Sequence, residues 1–251
     1  MSRNFEILSK ALQEDLMQVE SGPVEVAADS LAGSSEPEES VPQGPEEPQL
    51  RNLVQRVFLG AGAEAPRMLG FAAVEAGAGC SWVCSRVSRI LAAHVAGSVC
   101  VVDANMHTPG LHTQFAVTNR AGVNEALLQT EPLANYAQSL FGKKLWLVSS
   151  GHRNSELDAG AISERMRSQI AGLRNQFGYV LLDLPPLNKY ADAIVLGGAC
   201  DGIILVLRAN ASRRDTAIKA VADLKAANVN VLGVTLNQRT FSVPDAIYRR
   251  L

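Results

Sequence analysis

The stretch MLGFAAVEAGAGCSWVCSRVSRIL, residues 68–91, is the part of the sequence that decides the fold. Its first seven residues are apolar and predict a buried strand, and residues 81–95 predict a helix. Between them, Gly77 and Gly79 permit a tight turn, and a helix that begins near Ser81 offers free N–H groups to an anion. This arrangement is typical of a phosphate-binding turn. Taken alone, however, the short motif GAGCS favours an ordinary strand-to-helix turn.

Cys80 occupies a position where a phosphate-binding loop normally has a lysine, because such loops end in Gly-Lys-Ser or Gly-Lys-Thr. A charge-assisted hydrogen bond to phosphate contributes about 1.5–3 kcal/mol, or roughly ten- to a hundredfold in affinity. Backbone amides and the helix dipole remain, so weak binding of a phosphate group can survive.

Outward from this stretch, apolar strand-like runs alternate with longer amphipathic segments. The predicted strands are Met68–Val74, Ser98–Val102, Leu145–Val148, Tyr179–Leu182, Gly202–Leu207 and Val229–Val234. The predicted helices are 81–95, 121–129, 162–175, 190–199 and 212–227. The pattern predicts an α/β fold with a doubly wound, mostly parallel sheet and helices on both faces. Ligands of such sheets bind at the carboxyl ends of the strands.

Two aspartates stand at the carboxyl ends of predicted central strands. Asp103 ends the strand in VVDANMHTPGLH, and Asp183 ends the strand in YVLLDLPPL. Together with the glycine turn they predict a site for Mg²⁺ and phosphates, in which Ser81 binds the metal directly and the carboxylates act through water. The alternative is that each aspartate caps the turn that follows it. The presence of both beside the glycine turn favours the nucleotide site.

From residue 50 onward, the sequence resembles the bacterial tyrosine kinases (BY-kinases) of capsule and exopolysaccharide synthesis, within the ParA/MinD-type deviant P-loop ATPases. Four segments carry the resemblance in order: AGAGCS (76–81) for Walker A, VVDANMHTPGLHTQF (101–115) for Walker A′, FGYVLLDLPP (177–186) for Walker B, and DGIILVLRANASRRDT (201–216) with VNVLGVTLNQR (229–239) for the last strands. It implies a P-loop NTPase-like domain that binds ATP and Mg²⁺.

The resemblance also implies roles for individual residues. The nucleotide-binding residues it implies are Gly77, Ala78, Gly79, Cys80, Ser81, Trp82 and Asn237, with Asn237 at the adenine. The metal-binding residues are Ser81, Asp103 and Asp183, and the two aspartates are also the catalytic residues if the domain is active.

Several family features are missing. Besides the Cys80 change, Asn105 and His107 replace the second acidic and the basic residue of Walker A′. Tyr248 is the only tyrosine near the end of the chain, so the tyrosine-rich tail is absent, as is the Glu-x₂-Arg-x₂-Arg association helix. These departures predict a degenerate kinase fold.

The N-terminal 50 residues differ from the rest. They contain two basic and eleven acidic residues, whereas residues 51–251 contain 21 basic and 14 acidic ones, and the whole chain has a net charge of −2. Residues 1–20 predict a short amphipathic helix that docks on the body or on a partner. Residues 21–49 are acidic and rich in proline and predict a disordered linker. The P-loop NTPase-like domain is predicted over 50–251.

Composition excludes several classes of protein. No apolar run reaches the roughly 20 residues of a membrane-spanning helix, and the basic residues form no stripe with interleaved aromatics, so we expect no nucleic-acid partner. Cys80 and Cys84 lie one helical turn apart, which indicates a buried helix face rather than a zinc site. A lowered Cys80 pKa, and with it a redox thiol, is a further alternative. The sequence predicts a cytoplasmic protein, peripheral to the inner membrane through a partner.

The function we predict is that of a regulator or scaffold of exopolysaccharide or capsule biosynthesis, with nucleotide binding weak or lost. Its expected partner is a membrane polysaccharide copolymerase, or chain-length regulator, and a homo-oligomer is a second candidate. One alternative is an active ATP-dependent tyrosine kinase in which Lys143, Lys144 or Arg208 replaces the missing lysine. Another is a ParA/MinD-like switch that dimerises when it binds nucleotide.

Overall fold

The computed structural model describes residues 17–19, 47–60, 62, 65–140, 142, 144–152 and 159–238. Its strands are β1 (Met17–Val19), β2 (Met68–Ala73), β3 (Val99–Asp103), β4 (Gln138–Ser139), β5 (Leu145–Val148), β6 (Tyr179–Leu184), β7 (Gly202–Arg208) and β8 (Val231–Asn237). Its helices are α1 (Glu47–Val54), α2 (Cys80–His94), α3 (Leu111–Gln114), α4 (Val123–Gln129), α5 (Ala159–Leu173), α6 (Asp192–Gly197) and α7 (Arg214–Ala226), with a π-helical turn at Gln55–Leu59 and a 3₁₀ turn at Leu133–Tyr136.

The described strands form one sheet in the order β1-β8-β7-β2-β6-β3-β5-β4. Every pairing is parallel except that of β4 with β5. The predicted doubly wound, mostly parallel sheet is therefore confirmed. The six predicted strands and five predicted helices agree with the structure to within a few residues at their ends.

Each face of the sheet carries its own hydrophobic core, because successive residues of a strand point to opposite faces. In β2, Leu69 and Phe71 face a core covered by α1, α2 and α3. Met68 and Ala72 face the other core, which α4, α5, α6 and α7 cover. Strands buried on both faces explain the near-continuous apolar runs of the sequence. We call the first side the α2 face.

The structure corrects the prediction for the N-terminal arm. Residues 17–19, which the sequence predicts within a helix over residues 1–20, form β1, which pairs in parallel with β8 and becomes the edge strand of the sheet. The unpaired backbone groups of an edge strand can recruit an extended segment, and helical periodicity in the sequence does not show this. The rest of the predicted helix, residues 1–16 and 20, lies outside the described residues.

The boundary between linker and body also shifts. Helix α1 begins at Glu47, three residues before the predicted boundary, because Leu50, Leu53 and Val54 bury its apolar side against the α2-face core. Residues 47–49 are therefore part of the body rather than of the linker. Linker residues 21–46 and the tail from residue 239, with Tyr248, lie outside the described residues.

Asp201 joins three elements at the amino end of the sheet. One of its carboxylate oxygens, Oδ2, accepts hydrogen bonds from the backbone N–H groups of Arg67 and Met68, both at 2.8 Å. The Arg174 guanidinium at the end of α5 donates to the same oxygen at 3.2 Å and to Oδ1 at 2.7 Å. Partial burial opposes ionisation, but these donors outweigh it and hold the pKa of Asp201 below its ordinary value.

We expect Asp201→Asn to lower the free energy of unfolding at pH 7 by about 1 kcal/mol, a modest value because the carboxylate is partly exposed. Because the folded-state pKa is lowered, the stabilisation is complete above the unfolded pKa of about 3.9 and disappears as pH falls through the folded value. Urea denaturation between pH 3 and pH 7 measures this. The prediction would be contradicted if the difference in free energy of unfolding between the wild type and Asp201→Asn stayed the same as the pH fell.

Candidate functional site

The turn between β2 and α2, residues 74–79, is built by glycines; we call it the glycine turn. Gly77 and Gly79 have positive φ angles of 84° and 79°, a conformation that residues with a side chain rarely adopt. Gly79 precedes the first residue of α2 and provides no capping side chain, and the first turn of α2 contains no acidic residue. The first N–H groups of α2 are thus left for an external anion.

Two residues at the end of β8 hold the glycine turn in place. The Asn237 side chain, only 1% exposed, donates a hydrogen bond from Nδ2 to the Ala78 carbonyl at 2.9 Å. Gln238 donates from Nε2 to the Gly77 carbonyl at 3.2 Å. A Cβ at Gly79 would collide with the Asn237 amide. Asn237 therefore contacts the glycine turn itself. The predicted contact of Asn237 with adenine stays a prediction.

Asp103 and Asp183 are neighbours at the carboxyl end of the sheet. They are register partners on β3 and β6, and both are 0% exposed. Leu181 and Val101, two residues earlier on each strand, pack in the α2-face core, so both carboxylates lie on that face. We call these two residues the aspartate pair.

Most oxygens of the aspartate pair have no hydrogen-bond donor within the described part of the chain. Oδ2 of Asp103 accepts from the N–H groups of Gly110 at 3.0 Å and Leu111 at 2.9 Å. Oδ1 of Asp103 and both oxygens of Asp183 have no hydrogen-bond partner there. Three buried acceptor oxygens without a donor are suited to a hard cation or to its bound water molecules.

Burial raises the pKa of both carboxyl groups, because it disfavours their charged forms. The charge of Asp183 raises the pKa of Asp103 further, and the N–H groups of Leu111 and Gly110 counteract part of the rise. At Asp183 the nearby Ser81 hydroxyl and Cys80 thiol counteract part of the rise, although neither lies in hydrogen-bonding geometry with its oxygens. The structure thus brings together the three predicted metal ligands: Ser81 from α2 and the aspartate pair.

The thiol of Cys80 is beside Asp183 at the beginning of α2. Burial raises its pKa well above the ordinary value, and the negative charge of Asp183 raises it further. The thiol is therefore neutral at pH 7, which disfavours the alternative of an activated redox cysteine at this helix terminus. A neutral thiol stands where related loops have a cation.

Cys84 is fully buried one turn further along α2. Within the described ranges, no three side chains of His, Cys, Asp or Glu are grouped so that they could hold a metal ion by themselves. The aspartate pair therefore needs phosphate oxygens or water to complete a Mg²⁺ shell, which is how Mg²⁺ is usually bound in nucleotide sites.

Trp82 lies in the first turn of α2 and is partly packed against the α2-face core, with the Arg86 guanidinium 5.6 Å from its ring centre. The contacts of the Trp82 ring are with the protein itself, and its predicted contact with the nucleotide stays a prediction.

The loop after β3, residues 104–110, closes over the site through contacts that the sequence did not reveal. Asn105 holds Thr108, accepting from its N–H at 3.2 Å and donating to its hydroxyl at 3.1 Å. His107 hydrogen-bonds Asp192 at 2.8 Å and stacks on Tyr190 with ring centres 3.6 Å apart. The two residues that depart from the Walker A′ pattern therefore fasten the loop to itself and to the start of α6.

Gly110 is a site residue that the sequence motifs did not indicate. A Cβ at this position would lie 2.9 Å from the Ser81 hydroxyl oxygen, so only glycine allows the loop to approach Ser81. The Pro-Gly pair at 109–110 was the available signal, but such a pair usually marks a plain turn.

Two of the cations considered as substitutes for the missing lysine lie at opposite edges of the sheet. Lys144 directly precedes β5, at the amino edge of the sheet and opposite the glycine turn. Arg208 ends β7 at the same edge as the glycine turn. Lys143 lies outside the described residues.

Comparison with known proteins finds similar sequences among curated tyrosine-protein kinases. The chain is 27% identical over 144 residues to tyrosine-protein kinase YwqD of Bacillus subtilis, a match that covers 57% of this chain and 61% of YwqD. It is 25% identical over 178 residues to tyrosine-protein kinase CpsD of Streptococcus agalactiae, covering 70% of this chain and 76% of CpsD. The match to tyrosine-protein kinase etk of Escherichia coli, 28% identical over 155 residues, covers 60% of this chain but only 21% of that protein. No family model matches the chain.

Solved structures show the same fold. The chimerical protein CapA2B2 aligns with a TM-score of 0.74 and 19% identity over 94% of this chain and 99% of that one. The kinase domain of the E. coli tyrosine kinase ETK aligns with a TM-score of 0.69 and 20% identity over 79% of each chain. The MinD protein of Pyrococcus horikoshii, solved with Mg-ADP, aligns with a TM-score of 0.59 and 19% identity over 73% of this chain and 76% of that one.

These similarities confirm the resemblance that the four motifs predicted. In sequence the chain is similar to bacterial tyrosine-protein kinases, and in structure it has the P-loop NTPase fold that the ETK kinase domain shares with MinD.

Proposed function

We propose that this protein is a regulator or scaffold of exopolysaccharide or capsule biosynthesis whose kinase-like site binds Mg²⁺–nucleotide weakly and does not transfer phosphate. The observation that carries the proposal is the neutral Cys80 thiol beside Asp183, in a site that otherwise keeps its parts. The unpaired N–H groups of α2, the glycine turn and the aspartate pair support binding of phosphates and Mg²⁺. Bound Mg²⁺ would neutralise negative charge on the phosphates and the aspartate pair.

Loss of the lysine weakens phosphoryl transfer more than it weakens nucleotide binding. Binding loses one charge-assisted contact, while the backbone N–H groups at the start of α2 still face an anion. Phosphoryl transfer needs charge neutralisation at the transferred group, and Cys80 supplies none. His107 replaces the basic residue of Walker A′ and is hydrogen-bonded to Asp192 and stacked on Tyr190. This replacement also disfavours phosphoryl transfer. We therefore expect a site that responds to nucleotide without turning it over.

We further propose that the protein acts at the inner membrane through a membrane polysaccharide copolymerase. Among the described residues no helix has the length and apolarity required to cross a bilayer. Support comes from the sequence similarity to bacterial tyrosine-protein kinases. Fractionation of cells with and without the copolymerase gene tests this, and equal membrane recovery in both would contradict it.

The first test of the nucleotide site is Cys80→Lys. We expect it to tighten binding of a fluorescent ATP analogue with Mg²⁺ by roughly ten- to a hundredfold, because it restores one charge-assisted phosphate contact. Cys84→Ser, one helical turn away and buried, controls for loss of a thiol in α2. Phosphotyrosine is assayed on the same samples, with a tyrosine-rich peptide as an added acceptor.

The outcomes separate the candidate functions. Robust phosphorylation by the wild type would show an active kinase and overturn the degenerate assignment. Absence of nucleotide binding by both proteins would leave a scaffold without a nucleotide site. Nucleotide-dependent dimerisation of the wild type without phosphorylation, measured by light scattering, would favour a MinD-like switch.

Asp183→Asn should raise the free energy of unfolding of the ligand-free protein by about 1 kcal/mol or more, because it replaces a buried carboxyl group, whose charged form burial disfavours, with a neutral amide. The same change should abolish the stabilisation that Mg²⁺ with ATP confers on the Cys80→Lys protein. Urea denaturation with and without ligand measures both effects. Asp223→Asn, exposed on α7, is the control for loss of a carboxylate. A less stable ligand-free Asp183→Asn protein would contradict the prediction.

Asn237→Ala should destabilise the protein by about 1–3 kcal/mol, because it leaves the buried Ala78 carbonyl without its donor. Gln238→Ala removes an exposed donor from the same turn and should cost less. Binding of ATP and of inorganic tripolyphosphate is compared in the Cys80→Lys background. Weaker binding of ATP alone indicates an adenine contact, whereas weaker binding of both indicates that Asn237 acts by holding the turn.

A further inference from the structure

Arg208 is the last residue of β7 and has an exposed side chain whose guanidinium has no acceptor among the described residues. Within that part of the chain it forms no ion pair and donates no hydrogen bond; only its backbone N–H is used, donating to the Ser212 hydroxyl at 3.0 Å. Glu75, half-buried at the start of the glycine turn, does not pair with it. A cation is thus available at the carboxyl edge of the sheet.

The alternation of β7 places Arg208 on the α2 face. Ile204 and Val206 pack in the α2-face core, while Ile203 and Leu205 pack in the other. Arg208 continues the row of Ile204 and Val206, because every second residue of a strand points to the same side. This is the side on which α2 begins and on which the aspartate pair lies.

The register places Arg208 beside the glycine turn. Val206 pairs with Ala73, the last residue of β2, so Arg208 extends two residues beyond that point, level with the first residues of the turn. The next residue, Ala209, donates its N–H to the Asn237 carbonyl at 2.8 Å, and Asn237 in turn holds Ala78. Since β2 lies between β7 and β6 in the sheet, Arg208 and Asp183 flank the turn from opposite sides.

Three other described cations near this edge, Lys189, Arg214 and Arg86, are placed differently. Lys189 follows β6 in a segment that leads into α6, which covers the opposite face, and nearby Leu187 packs against that core. Arg214 begins α7, whose buried Leu224 also belongs to the opposite core. On the α2 face, Arg86 lies over the Trp82 ring. Arg208 therefore combines the required edge, face and free guanidinium.

We propose that Arg208 supplies the cation missing at residue 80 by binding the phosphates of the nucleotide from the β7 side of the glycine turn. The guanidinium can donate two parallel hydrogen bonds to a phosphate, and it keeps its charge throughout the physiological pH range. This inference rests on the proposed nucleotide binding and deepens it. The aspartate pair would hold Mg²⁺, and the Arg208 guanidinium would bind the phosphates.

A double-mutant comparison tests the inference. Binding of a fluorescent ATP analogue with Mg²⁺, and its displacement by inorganic tripolyphosphate, is measured for the wild type, Arg208→Ala, Cys80→Lys and the double variant. We expect Arg208→Ala to weaken both ligands by about tenfold or more in the wild type. In the Cys80→Lys protein the loss should be only about twofold, because the restored lysine supplies the charge.

Two matched variants make the result specific. Lys189→Ala removes an exposed cation from the same edge, in the segment that leads into α6, and it should leave affinity unchanged. Arg208→Lys keeps the charge and should recover most of the affinity, although it loses the bidentate geometry. Thermal unfolding of each variant shows whether a change in binding comes from a change in folding.

The failure modes are distinguishable. Equal loss of affinity in the wild-type and Cys80→Lys backgrounds, or no loss in either, overturns the Arg208 inference while leaving the nucleotide site. If Arg208→Ala weakens binding of the ATP analogue but not of tripolyphosphate, Arg208 contacts the nucleoside rather than the phosphates, and the inference is also overturned. Binding by Cys80→Lys alone shows that Arg208 does not compensate, and absence of binding by every variant overturns both the inference and the proposed nucleotide binding.

Discussion

Two carboxylates buried side by side at the edge of a parallel sheet are the constraint around which this site is organised. Asp103 and Asp183 are register partners, both fully buried, and most of their oxygens have no donor within the described residues. Burial raises the pKa of both carboxyl groups, because their charged forms are disfavoured without a cation. Cys80, the residue at the lysine position, contributes only a neutral thiol. The arrangement is understandable if the site still receives a cation from outside the chain.

The sheet order determines how charge is distributed around the glycine turn. Because β2 lies between β7 and β6, whatever occupies the first turn of α2 has the aspartate pair on one side and Arg208 on the other. A P-loop lysine would place its charge at the start of α2 itself. Here Arg208, whose guanidinium has no acceptor among the described residues, comes from a neighbouring strand and would make its contact from the side. Such a contact can hold phosphates, but it does not reproduce the lysine position that phosphoryl transfer requires.

The loop after β3 shows how the remaining departures from the kinase pattern are used. His107 binds Asp192 and stacks on Tyr190, and Asn105 fastens Thr108. These contacts fix the loop so that the N–H of Gly110 reaches Asp103 and the loop approaches Ser81. Asn105 and His107 therefore hold the loop in place through contacts within the protein.

Local patterns in the sequence were sufficient for the architecture. Continuous Val, Ile and Leu runs alternating with amphipathic segments indicated the doubly wound sheet, since strands buried on both faces carry no polar alternation. The positions of Asp103 and Asp183 at strand ends, and of Cys80 after Gly79, indicated the site and its missing charge. These features are local, and the carboxyl ends of parallel strands necessarily meet at one edge.

The tertiary structure decided which distant residues come together, because strand order, register and face depend on contacts between segments far apart in sequence. It placed Met17–Val19 on the edge of β8 rather than in a helix, and it assigned the Asn237 amide to the Ala78 carbonyl. It also put Lys144 at the edge opposite the glycine turn and Arg208 beside it. The sequence by itself determined that a lysine is missing at residue 80. Only the packing of β7 against β2 decided which cation lies on the right face and at the right edge to take its place.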